Sequence, residues 1–137
     1  MSRRLLSGLA IAAMILGPVG CGVSTGSPTP RVAPIIVTFE VADDQRFKVL
    51  LTDPAAIKTA ADLLAGEDVP SIPNGRVIRQ TGVNTGYSWS LDPNDIRFTD
   101  ETDEDCDGSP SDVESGQVPG DRYCPSAAQV VAIDAAP

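Results

Sequence analysis

Histidine is absent from this 137-residue chain. Its absence excludes Ser-His and Cys-His nucleophile pairs, an imidazole proton shuttle and the zinc sites that use histidine. Aromatic residues are scarce: three Phe, two Tyr and one Trp. Basic residues are also few, 10 Lys and Arg against 19 Asp and Glu, for a net charge of −9. A chain so poor in cations lacks the footprint that nucleic-acid backbones require, so no nucleic acid is expected as a partner. No constellation of a nucleophile and its base is left, and the sequence does not read as an enzyme. Asp92 and Asp95 could in principle pair as glycosidase carboxylates do, but Asp92-Pro93-Asn94-Asp95 reads better as a turn.

What is present begins with a targeting segment. Arg3 and Arg4 precede an apolar stretch from Leu5 to Gly17, and Pro18-Val19-Gly20 leads into Cys21. The stretch is too short to span a bilayer comfortably and suits a signal peptide over residues 1–20. A cysteine directly after a small residue marks bacterial lipoprotein cleavage, which would make Cys21 the lipidation site. Pro18 stands where such sites usually carry leucine, and ordinary cleavage nearby, leaving a free thiol, is the other reading. Lipidation is favoured because a lone free cysteine is a liability in an exported protein. Loss of Arg3 and Arg4 would leave eight basic residues against 19 acidic ones, a mature charge of −11. Residues 21–34 then comprise the lipidated cysteine and a Gly-, Ser-, Thr- and Pro-rich tether.

Residues 35–137 read as one α+β domain, a small antiparallel sheet packed against one main helix and closed by one disulfide. Strands are expected at 35–41, at 47–51 with Phe47, Val49 and Leu51 on one face, at 76–81, 86–91, 96–99 and 128–134. The helix is expected at 54–65, with Asp53 as its cap, Pro54 in the first turn, and Ile57, Ala60, Ala61 and Leu64 as its apolar stripe. Asn84-Thr85-Gly86 reads as a turn. Tyr87, Trp89 and Phe98 are expected to pack in the core rather than form an exposed ligand platform.

Cys106 and Cys124 form an even pair in an exported chain and are expected to be disulfide-bonded; their spacing is not that of a Cys-x-x-Cys redox pair. Around Cys106, residues 100–114 carry eight carboxylates and no basic residue. Asp103, Asp105, Asp107, Gly108 and Glu114 fall on positions 1, 3, 5, 6 and 12 of a calcium-binding EF-hand loop, with Ser109 placed to offer its carbonyl. Pro110, the tie through Cys106 and the lack of helical flanks favour instead a solvated acidic loop. Calcium is thus the only cofactor the sequence suggests, as an alternative.

The order of short motifs resembles a known family. These run Phe47-Lys48-Val49-Leu50-Leu51-Thr52-Asp53-Pro54, Gly75, Asn84, Tyr87-Ser88-Trp89-Ser90-Leu91-Asp92-Pro93 and Ile96-Arg97-Phe98. Glu104, Cys106-Asp107-Gly108-Ser109-Pro110-Ser111, Val113-Glu114 and Tyr123-Cys124-Pro125 follow. Together they resemble a small domain of bacterial secreted proteins that also stands at the N-terminus of an amoebal calmodulin-binding protein. Ser90 and Ser126 occupy places where that family often carries histidine and tryptophan. The resemblance implies a fold and a disulfide. Calmodulin binding is not expected, because calmodulin targets are basic amphipathic helices and the helix here sets Lys58 against Asp62 in an acidic chain.

The expectation is therefore a lipid-anchored, non-enzymatic binding module on the extracytoplasmic face of a bacterial membrane, with an unidentified protein or surface ligand as partner. The alternative is a calcium-binding or calcium-stabilised domain acting through residues 103–114.

Overall fold

The computed structural model describes Gly22 and residues 26–137. The signal segment and Cys21 lie outside the described residues. Residues 26–34 are exposed and carry no regular structure. Beyond them come β1 (Ile35–Glu40), β2 (Arg46–Leu51), α1 (Pro54–Leu64), β3 (Ile72–Ile78), β4 (Ser90–Thr99), α2 (Pro110–Ser115), β5 (Arg122–Tyr123) and β6 (Gln129–Ala135).

The strands form two antiparallel three-stranded sheets rather than one, ordered β2-β1-β6 and β4-β3-β5. The first begins as a hairpin: Val41 N donates to Gln45 O, and Asp43 and Asp44 turn the chain with φ of 63° and 57°. Alternation along β2 then decides which face is inside, since Phe47, Val49 and Leu51 are each 1 % exposed. They pair with Phe39, Val37 and Ile35 of β1. The C-terminal strand β6 closes the sheet on the other side of β1, with one irregularity between Thr38 and Phe39, whose partners are Ala132 and Val130. Val131 is thereby left over as a bulge.

Both sheets contribute to one core. Phe47 of the first sheet lies 5.3 Å from Tyr123 of the second and 5.9 Å from Trp89, measured between ring centres. Phe39 stacks on Phe47 at 5.2 Å and reaches Phe98 at 6.1 Å. All six aromatic side chains are packed in or against this core, as the scarcity of large apolar residues demands.

Helix α1 starts where expected: Asp53 accepts from Ala56 N and Pro54 occupies the first turn. Its buried face is Ala56 and Ala60, with Ile57 partly buried, and it lies against β6 and β4. Leu64, expected in the stripe, is 48 % exposed. Small residues bring the helix axis close to the strands, and the stripe ends one turn early.

Other expectations need correction. The strand expected at 86–91 is a series of turns up to Trp89, because β4 begins only at Ser90. The turn expected at Asp92–Asp95 lies inside β4, where the partners of β3 jump from Ile96 opposite Gly75 to Leu91 opposite Val77. The chain makes its bend as a bulge within a continuing strand. A Cβ on Gly75 would meet Ile96 Cγ1 at 2.9 Å, so the close approach of the bulged strand requires glycine there. Finally, α2 is a second helix beyond the single one expected, and it occupies part of the stretch matched to an EF-hand loop.

Candidate functional site

Two places concentrate the residues of interest. The first is the disulfide. Cys106 and Cys124 are bonded, with Cα atoms 5.1 Å apart, and both side chains are buried. The same two residues share a backbone bond, Cys124 N to Cys106 O at 2.7 Å, and Thr102 Oγ1 donates to Cys124 O at 2.6 Å. Next to them the Asp107 carboxylate accepts from Gly108 N, from Ser126 N at 2.9 Å and from Ser126 Oγ at 2.8 Å. Burial opposes its ionisation most strongly, but the Ser126 and Gly108 donors together outweigh it and hold the carboxyl below its usual range. Tyr123, fully buried, donates its hydroxyl to Gly108 O, and burial, then the Asp107 charge, push its phenol strongly upward.

Helix α2 follows at once. Ser109 accepts from Asp112 N while Asp112 accepts from Ser109 N, a reciprocal capping box, and Pro110 fills the first turn. The Ser109 backbone and hydroxyl donors lower the Asp112 carboxyl. Three further bonds fix the helix: Ser111 N donates to Gln45 Oε1, Arg79 donates to Val113 O, and Ser88 N donates to Glu114 Oε2.

These bonds decide where the expected calcium ligands stand. Asp103 accepts from Asp105 N, Asp107 holds Ser126, Ser109 caps α2, and Glu114 holds Ser88. The structure therefore does not gather Asp103, Asp105, Asp107, Ser109 and Glu114 around one point. Among the described residues no group of three or more His, Cys, Asp or Glu side chains is placed to hold a metal ion.

Asp92 and Asp95 are likewise engaged. Arg76 binds Asp92 at 2.6 Å, and Arg122 binds Asp95 at 2.9 Å while also donating to Asn74 Oδ1. The bonds from Arg76 and from Arg122, respectively, lower the two carboxyls. A glycosidase general acid needs its pKa raised, so this pair is arranged as a clamp on the β4 bulge.

The second place is the outer face of the first sheet, which sequence reasoning missed. Lys48, Thr38 and Ala132 lie in one row across β2, β1 and β6. With Arg46, Val131, Asn84 and Thr85 they line a cleft of about 370 Å³. Arg46 is held by Glu40 at 2.6 Å. Lys48 enters none of the five ion pairs formed among the described residues. The wall is built by Asn84, 1 % exposed, whose Oδ1 accepts from Lys48 N at 2.9 Å and whose Nδ2 donates to Trp89 O at 3.0 Å. The alternation of β2 carried the available signal: if Phe47 and Val49 face inward, Arg46 and Lys48 face outward.

No curated protein and no solved structure matches the chain. A family model does, that of the N-terminal domain of the calmodulin-binding protein whose motif order the sequence resembles. It matches residues 33–137, most of the chain and the whole of the folded part from β1 to β6. The chain belongs to this family of calmodulin-binding-protein N-terminal domains.

Proposed function

We propose that this protein is an exported, lipid-anchored binding module without enzymatic activity. Residues 1–20 direct export, acylated Cys21 holds the chain to the membrane, and residues 22–34 set the domain off its surface. The domain then binds a protein or another ligand on the extracytoplasmic side. One observation carries the reading: the polar groups clustered at the disulfide hold backbone and cap α2, while the cleft over the first sheet keeps a lysine unpaired. Exposed, irregular residues 26–34 suit a tether. The strong negative charge disfavours direct contact of the domain with anionic headgroups, which leaves the acyl chains as the membrane contact.

Fatty-acid labelling and fractionation of the full chain test the anchor. The wild type is expected to take up label and to sediment with membranes, and Cys21→Ala to lose the label. Equal partition of the two overturns the anchor. Photo-crosslinking from position 85 tests the binding role, and failure to recover any reproducible adduct counts against it.

A further inference from the structure

We propose that the cleft on the outer face of the first sheet binds a small organic monocarboxylate, with Lys48 as its counter-ion. The proposal deepens the binding-module reading and rests on it. Strand register puts Lys48, Thr38 and Ala132 side by side across all three strands. The two small residues lower the floor beside the long lysine, and Thr38, 8 % exposed, brings a hydroxyl to it. At about 370 Å³ the space falls in the range of small-molecule sites.

Charge selects the ligand. Glu40 neutralises Arg46, so Lys48 leaves the cleft with a single uncompensated positive charge, set on a chain with a net charge of −9. One negative charge matches it. A phosphate dianion would bring a second charge that finds no partner and meets the negative field of the whole domain. The other wall is apolar: Val131, pushed out by the β6 bulge and 37 % exposed, stands beside Ala132. An acid carrying a short hydrocarbon arm covers Val131 while its carboxylate meets Lys48, and Thr38 is placed to donate a hydrogen bond to the second oxygen.

Calorimetric titration of the full chain in a non-ionic detergent tests this, with acetate, butyrate and benzoate as probes, butyramide as the neutral isostere, and inorganic phosphate. Butyrate or benzoate is expected to bind better than acetate, and butyramide not to bind. Lys48→Gln is expected to weaken binding by about tenfold, the loss of one charge-assisted hydrogen bond. Its melting temperature should stay that of the wild type, because the Lys48 side chain makes no ion pair within the described residues. Thr38→Val is expected to weaken binding less. Added salt should weaken the wild type and leave Lys48→Gln nearly unaffected. Absence of saturable carboxylate binding, a preference for phosphate, or equal binding by Lys48→Gln overturns the assignment. A chain that still labels with fatty acid and still crosslinks from position 85, yet ignores every carboxylate, overturns the ligand class alone.

Discussion

Asn84 shows how much one side chain can carry in a domain with so few large apolar residues. It is 1 % exposed, yet both ends of its amide are used, one on Lys48 N at the edge of β2 and the other on Trp89 O. The contact closes part of an open strand edge and fixes the turn that delivers Trp89 to the core. Replacing Asn84 with Ala leaves a buried N–H and a buried C=O without partners, at a cost of about 1–3 kcal/mol for each group left bare. Asn84→Ala should therefore unfold at clearly lower denaturant than the wild type, whereas Thr85→Ala, at an exposed neighbour, should change stability by no more than about 0.5 kcal/mol. Comparable midpoints for the two variants would remove the bridging role. Trp89 itself is the converse case, since its Nε1 is buried without a partner among the described residues. Its position is held by ring contacts with Phe47, Tyr87 and Tyr123. In the sequence Asn84 reads only as a turn residue, because its amide works through backbone groups that lie 36 residues away in one case.

Among elements, legibility followed the source of each one's stability. Strands β1, β2 and β6 and helix α1 carry their patterns in adjacent residues: alternation in Phe47, Val49 and Leu51, and the cap and proline at Asp53-Pro54. The bulge in β4 is fixed instead by Arg76 and Arg122, which hold Asp92 and Asp95 from other strands. A turn-like tetrapeptide is thus kept inside a strand by partners that periodicity cannot show. Helix α2 did have a local signature, Ser109-Pro110 followed by Asp112, but the regular spacing of carboxylates through the same residues suggested a cation loop. The two readings differ in what acid does. Asp112 is ionised and bonded to Ser109 in the folded state, so its folded pKa lies below its unfolded one. The stability it contributes is present above the unfolded value and is lost as pH falls through the folded one. Asp107, lowered by Ser126 and Gly108 against its burial, acts in the same direction. Asp112→Ala is expected to lose about 1 kcal/mol at neutral pH, the usual cost of removing a cap partner. Its stability should also fall less steeply than that of the wild type on acidification below about pH 4. Denaturant titrations at pH 7 and pH 3 measure both; a mutant with an unchanged acid slope would rule out the capping box as an acid-sensitive contact.

At the scale of the molecule, the last third of the chain is held by one covalent tie. Cys106 and Cys124, 18 residues apart, are stitched beneath the exposed acidic stretch 100–105 and beside α2. That placement separates two accounts of how an acidic domain resists its own repulsion. If calcium bridged the acidic stretch, chelation would destabilise the fold. The bonds from Asp107 to Ser126 and from Glu114 to Ser88 are already made without an ion, so the melting temperature should be the same in millimolar calcium and in chelator. A rise with calcium would show that the loop rearranges to take the ion. The disulfide, by contrast, closes a loop whose chain entropy is worth about 3 kcal/mol. Reduction should lower stability by about that amount and also uncover Tyr123, which reaches Gly108 across the tie. Simple salt should then recover part of the loss, because screening relieves repulsion among the carboxylates that the tie had held together. Thermal melts of oxidised and reduced chain, with and without salt and calcium, separate these contributions. A salt response as large in the oxidised as in the reduced chain would mean that repulsion is spread over the whole surface rather than focused at the cysteine turn.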